Sequence, residues 1–356
     1  MSPLHPGSDF TREEIQLAAR NHGMPLEALR YPITPVGLHY ILVHYDIPSV
    51  DLAAWKLEVR GLVEKPLDLG LEALRALPSL TLPVTFECAG NGRAKLAPRP
   101  LSQPWLSEAV GTAEWTGVSL HSILDRAGCR AGAVDVVFTG CDRGIENGAE
   151  QVFERSLSYD VALGGGAILA FGMNGAPLPP QHGFPLRLVV PGWYVMTNVK
   201  WLRRITVTAE PFTGYQQVSA YRFRQEENDS GEPVTLMAPR SLMAPPGIPD
   251  FFTRLRTCPR GPQRVEGRAW SGRGPIERVD FSDDGGKSWR PAELEPPLGH
   301  HAWRGWWIDW EPRDSGQHVL ASRARDAAGN EQPLSPPWNL GGYANNAVER
   351  IAVTVS

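Results

Sequence analysis

The sequence has little cysteine: Cys88, Cys129, Cys141 and Cys258 are the only four in 356 residues, and no two form a CxxC pair. That scatter excludes a disulfide framework and a zinc module, leaving each thiol free for other chemistry. A dominant charge is lacking too. With 35 basic and 39 acidic residues the formal charge is -4, which makes no electrostatic case for nucleic acid or an anionic membrane surface. No apolar run approaches the roughly 20 residues that cross a bilayer, because segments such as AILAFGM are soon broken by polar residues, Gly or Pro. The opening MSPLHPGSDFTREEIQL has neither a basic start with an apolar core nor a twin-arginine pair, so a cytoplasmic protein is the expectation.

What is abundant interrupts regular structure. Thirty-six glycines and 33 prolines, with 12 tryptophans, favour turns and short, half-buried strands over long helices. Thr11 and Glu14 have capping-box spacing ahead of Ile15, Leu17, Ala18 and Ala19, which predicts a helix within an N-terminal extension, residues 1–34. From Trp55 short apolar runs take over: WKLEVRGLV, LPVTFECAG, VDVVFTGCD, FPLRLVVPG and LRRITVTAE. Helical intervals such as LGLEALRAL and LHSILDRAG separate some of them, too irregularly for a doubly wound parallel sheet. An α+β domain over 35–232 is therefore expected. Residues 232–262 hold seven prolines, and 233–262 reads as an extended connection. Beyond it, 263–356 shows strand-like runs at the spacing of an immunoglobulin-like β-sandwich, with Asp283-Asp284-Gly285-Gly286 as a hairpin signal.

Two stretches concentrate chemistry. In Phe86-Glu87-Cys88-Ala89-Gly90-Asn91-Gly92-Arg93 a cysteine stands where a strand gives way to a glycine-bearing turn. A basic neighbour such as Arg93 favours the thiolate, a nucleophile or soft metal ligand. A lone cysteine in a strand is more often simply buried and inert. The second stretch runs Gln181-His182-Gly183-Phe184-Pro185-Leu186-Arg187, then Val189 to Trp193, then Asn198-Val199-Lys200-Trp201. Its cations and turn backbone suit a phosphate-bearing cofactor, and surface charge between strands is the plainer alternative.

Taken in order, ECAGNGR, FTGCD, MNGAPLPPQHGFPLRLVVPG and NVKWLRRI resemble the molybdenum-pterin domain of the sulfite oxidase family over most of residues 35–225. VEGRAWSGRGPIERVDFSDDGGKSW is similar to the start of that family's C-terminal immunoglobulin-like dimerisation domain. The resemblance implies molybdenum held by the dithiolene sulfurs of molybdopterin, oxo or hydroxo ligands and Cys88. It implies that Tyr40, His44, Asp142, His182, Arg187, Asn198 and Lys200 surround the pterin and its phosphate. Arg93 and Tyr221 would face substrate, the latter matching only with a one-residue insertion, and Trp105 matches an aromatic at the substrate entrance. It also implies a homodimer.

The sequence departs from the family where members that oxidise sulfite carry Arg-Asn-His and this chain has Leu42-Val43-His44. Losing a charge-assisted hydrogen bond of roughly 1.5–3 kcal/mol weakens anion binding by about one to two orders of magnitude. The resulting expectation is a molybdenum-cofactor oxidoreductase moving an oxygen atom to or from a small sulfur-containing substrate, sulfite first. Reduction of an S-oxide or N-oxide is the alternative, since a neutral oxide needs no cationic clamp. A cysteine nucleophile with His182 as base, and a noncatalytic binding protein built on the sandwich, are further rivals. His5-Pro6-Gly7 matches a fragment of a haem-binding loop but has no such domain around it, and no CxxCH occurs. No haem is expected, so electrons would pass to or from a separate protein.

Overall fold

The computed structural model describes residues 10–312 and 314–356; His5-Pro6-Gly7 and the start of the N-terminal extension lie outside them. The helix Arg12–Arg20 begins at the expected capping box. Thr11 Oγ1 accepts the Glu14 N–H at 3.2 Å and the Glu14 carboxylate accepts the Thr11 N–H at 2.9 Å. Glu14 is also buried and paired with Arg99, so the cap fastens the helix to the body.

Two sheets build the first domain. One has the order Leu67–Leu69, Leu57–Gly61, Leu202–Thr208, Asp135–Glu146, Ala149–Ser158, with only Leu57–Gly61 and Leu202–Thr208 parallel. The other joins Ser79–Glu87, Val110–Ser119, Ile168–Met173 and Ala176–Pro177, with Arg187–Val189 also on Ile168–Met173. Helix Leu120–Ala127 buries Leu120, Ile123, Leu124 and Ala127, one helical face, in a core shared with Val118, Phe138 and Leu169. Each fully buried Leu or Ile there contributes about 1.5–3 kcal/mol of hydrophobic stabilisation. The mixed, mainly antiparallel sheets follow from that irregular alternation of strand and helix.

The second domain is a sandwich of a four-stranded and a six-stranded sheet around Val265, Val279, Phe281, Trp306, Trp310 and Leu320. The proline-rich stretch is more than a connection. Arg240–Met243 pairs antiparallel with Gln263–Trp270, Ile248–Pro249 pairs with Arg256–Cys258, and Arg256–Cys258 lies parallel to Arg350–Val355. Pro239, Pro245, Pro246, Pro259 and Pro262 fall outside these strands, so they punctuate the pairing without removing a donor from it. The Asp284 carboxylate accepts the Lys287 and Ser288 N–H groups at 2.9 and 3.0 Å, so the turn after Ile276–Ser282 extends beyond the four residues expected.

A buried polar knot joins the two domains. Glu87 accepts Arg240 NH1 at 2.8 Å, Asn91 Nδ2 at 3.0 Å and Trp270 Nε1 at 2.8 Å, and it and Arg240 are 1% and 3% exposed. A chain segment also returns from the sandwich. Trp338 Nε1 donates to Pro98 O, Ala344 N–H to Ala89 O at 2.7 Å, and Asn345 Nδ2 to Gly92 O at 2.8 Å. One apolar core therefore runs from Phe86, Cys88 and Trp115 to Leu242, Trp270 and Trp303.

Glu87→Ala strands the Arg240 guanidinium in that core. The substitution is expected to cost about 3–5 kcal/mol, read as a lower denaturant midpoint, with Glu87→Leu/Arg240→Met recovering most of the loss. Equal loss in the single and double variants would contradict this.

Candidate active site

The turn after Ser79–Glu87 carries Cys88. Asn91 fastens it from both ends: Nδ2 donates to Glu87 Oε1 and to Ser107 O at 3.2 Å, and Oδ1 accepts the Ala109 N–H at 3.1 Å. A Cβ at Gly90 would lie 2.5 Å from the Arg93 guanidinium, so glycine allows that cation to fold back over the turn. Cys88 is 6% exposed. Burial raises its thiol pKa and Arg93, which favours the thiolate as expected, offsets only part of that. A coordinating metal would remove the proton outright.

All eleven residues that the resemblance singled out line two adjoining cavities. One, of about 520 Å³, is bounded by Tyr40, His44, Asp142, His182, Arg187, Asn198 and Lys200. The other, of about 980 Å³, is bounded by His44, Cys88, Arg93, Trp105 and Tyr221. Leu42 and His44 line both, so the cavities meet there. His182 and Cys88 line different cavities, and no hydrogen bond between them is present among the described residues. With the thiol raised and the imidazole pKa lowered to about 2 by burial and by His39, the nucleophile–base pair gains no support.

The first cavity is rich in cations and short of partners. Arg187 donates to His182 O at 2.8 Å and Asn198 O at 3.3 Å, with its guanidinium over Phe86 and Trp115 at 4.7 Å each. Lys200 Nζ donates to Leu42 O at 2.7 Å and Gln181 O at 3.3 Å. Burial lowers the pKa of both, that of Arg187 to about 9, with Arg187 pushing Lys200 further down. Asp142, the one carboxylate in the lining, is raised by burial and so offers little compensation. Nε2 of His182 and of His39, Oδ1 of Asp142, Nδ2 of Asn198 and Nε of Arg187 are buried with no partner among the described residues. Buried donors and cations left this way cost several kcal/mol, roughly 1–3 per neutral group. An anionic, hydrogen-bonding ligand such as a pterin phosphate satisfies them, so the residues fit the group.

In the second cavity His44 Nε2 lies 2.6 Å from Tyr221 OH, with His44 stacked on Phe153 at 4.6 Å. Burial and Lys200 lower the His44 pKa to about 3, and burial raises Tyr221 well above its ordinary value. A neutral imidazole thus meets a protonated phenol; in the tautomer with hydrogen on Nε2, His44 donates to the Tyr221 oxygen and the phenol is able to donate into the pocket. Tyr221 has φ 54, a left-handed conformation rare for a bulky residue.

Four site residues escaped sequence reasoning. His39 stacks on Tyr40 at 5.2 Å and stands edge-on to His182 at 5.3 Å. Phe153 backs His44, and the Arg155 guanidinium lies 5.6 Å from the Tyr221 ring centroid. Tyr343 belongs to the returning segment. His39 adjoins Tyr40 and was open to notice; the others carry no local signal.

Among the described residues no group of three or more His, Cys, Asp or Glu could hold a metal ion, so a metal bound at Cys88 would take its other ligands from a bound group. Lys200→Met and Arg187→Met are expected to lower retained cofactor by about ten-fold or more, the loss of a charge-assisted bond. Their cofactor-free forms should melt at or above the parent temperature, because an uncompensated buried charge is gone. Unchanged pterin content on co-purification would contradict this reading.

No described helix is long and apolar enough to cross a membrane. The family described as oxidoreductase molybdopterin binding domain matches residues 44–216, and that described as Mo-co oxidoreductase dimerisation domain matches 253–356. An NADH nitrate reductase of Brassica napus is 33% identical over 352 residues, covering 91% of this chain and 38% of that protein. An NAD(P)H nitrate reductase of Hordeum vulgare is 33% identical over 350 residues, covering 91% and 39%. This chain thus spans about two fifths of the length of these curated relatives. The crystal structure of the sulfane dehydrogenase SoxCD from Paracoccus pantotrophus aligns with a TM-score of 0.82 at 26% identity, covering 100% of this chain and 95% of that one. With both domains matched in order, the chain belongs to the sulfite oxidase family of molybdopterin oxidoreductases.

Proposed function

We propose that this chain is a molybdenum-cofactor enzyme transferring an oxygen atom to or from a small sulfur-containing substrate, with oxidation of sulfite to sulfate as the first reaction to test. The observation that carries the reading is the junction of a cation-rich, partner-poor cavity with a pocket containing a buried thiol, an arginine and a protonated tyrosine. When bound, molybdopterin with its molybdenum supplies two-electron redox chemistry at an exchangeable oxygen.

The protein's part is binding, orientation and electrostatics. Arg187 and Lys200 would hold the phosphate, His182, Asn198, Asp142 and Tyr40 would hold the pterin, and His44 lines both cavities. Cys88 is the sulfur ligand from the chain. Arg93 orients an anionic or strongly polar substrate, and Tyr221, its proton held by burial and aligned by His44, donates a hydrogen bond where charge develops. Electrons pass to or from a separate protein.

Leu42 favours a second reading in the reductive direction. It lines the junction of both cavities where a cation would serve a dianion. The relatives named above include nitrate reductases and a sulfane dehydrogenase, so both directions belong in the assay.

Pairing of two chains through the sandwich is proposed as well, supported by its match to a dimerisation domain. Exposed apolar side chains at Ile248, Phe251, Phe252 and Leu255 offer a surface for it.

Protein produced in a pterin-competent host should contain near-stoichiometric molybdenum and reduce an artificial acceptor with sulfite. Leu42→Arg should lower the KM for sulfite by about one to two orders of magnitude with a smaller change in kcat. Molybdenum with no sulfite turnover, but with oxidation of a reduced dye by an S-oxide or N-oxide, would transfer support to the reductive reading. Absence of molybdenum would overturn both.

A further inference from the structure

Tyr343 reaches the substrate pocket from the far end of the chain and is held there from several sides. Asn339 Nδ2 donates to Tyr343 O at 2.8 Å, while Asn339 Oδ1 accepts the Tyr343 N–H at 2.9 Å. Ala344, at φ 53, is bonded to Ala89 beside Cys88. The Tyr343 ring lies 5.3 Å from the Arg93 guanidinium carbon and 5.3 Å from the Tyr221 ring, and its hydroxyl accepts the Tyr221 N–H at 3.4 Å. A Cβ on Gly341 would approach the ring to 2.2 Å, so the ring's position requires a residue without a side chain there.

We propose that Tyr343 is a specificity-determining residue whose ring receives an organic substituent of the substrate, and that the substrate is an organosulfur compound with at most one negative charge. This rests on the reading above that sulfur is the reacting centre, with sulfite, which Leu42 leaves without a cationic clamp, a weakly bound substrate. Arg93 meets the Tyr343 ring, and its Nε and NH1 already donate to Gly341 O at 2.9 Å and Gln103 O at 3.3 Å. Two of its five N–H donors are thus taken before a substrate arrives. Leu42 and Trp105 add apolar wall, and Arg20 and Glu146, of opposite charge, line the same pocket. A small dianion would leave this wall uncovered and overtax the remaining donors. An organic group covers this wall and packs on the aromatic face.

Non-reacting sulfur oxyanions separate the two cases by equilibrium binding, with molybdenum content measured in the same samples. By titration calorimetry the purified holoenzyme should bind benzenesulfonate at least about ten-fold more tightly than methanesulfonate or sulfate. Tyr343→Ala and the bulkier Tyr343→Leu should abolish that preference, while Tyr343→Phe, which keeps the ring, should retain it to within about two-fold. Sulfate binding as tightly as benzenesulfonate, or a preference that survives both Ala and Leu, overturns the proposal. Because these probes do not react, failure of oxygen transfer would sink the functional reading without deciding this one.

Discussion

The structure turns on one buried carboxylate. Glu87 ends a strand of the first domain, immediately precedes Cys88, and satisfies its oxygens with Arg240, Asn91 and Trp270. Two of those partners come from the sandwich and the third fixes the cysteine turn. An uncompensated charge in such a core is so costly that the three donors and the acceptor are locked together. Domain packing and the orientation of a thiol therefore depend on the same set of hydrogen bonds. The returning segment adds further ties, at Ala89, Gly92 and Arg93. The second domain is thus structurally part of the cavity beside Cys88.

The adjoining cavity is arranged on opposite terms. Both oxygens of Glu87, beside Cys88, are paired, whereas around Arg187 and Lys200 cations and orphaned polar groups line one cavity. Such a region opposes its own folding, and an anionic ligand relieves it. Stability given up there is the counterpart of affinity for the group that fills it. The His44–Tyr221 contact at 2.6 Å carries this polarity into the pocket where a substrate would sit.

Much of this was legible because it was local. The capping box at Thr11 and Glu14 needs only four consecutive residues, and the apolar runs flanked by Gly and Pro marked strands such as Ser79–Glu87 and Leu202–Thr208. Cys88, His182, Arg187 and Lys200 were nominated by ordered motifs, but their convergence depends on sheets that bring residues about 100 positions apart together, and spacing alone does not encode that. At 233–262, which the prolines mark as a connection, five of the seven lie between strands, and the pairing runs on around them. Arg155 lies in an ordinary alternating strand, and Tyr343 in a loop of the other domain; neither announces a site. For Cys88 the sequence displays the neighbouring Arg93, which favours the thiolate, but not the extent of burial that outweighs it.

The central claim is that Cys88 supplies sulfur to molybdenum held at this junction. X-ray absorption at the molybdenum edge, on the parent protein and Cys88→Ser, tests it most directly. The result expected is metal in both, with one sulfur neighbour fewer in the variant. An identical sulfur count in the two proteins, or no molybdenum in the parent, would contradict it.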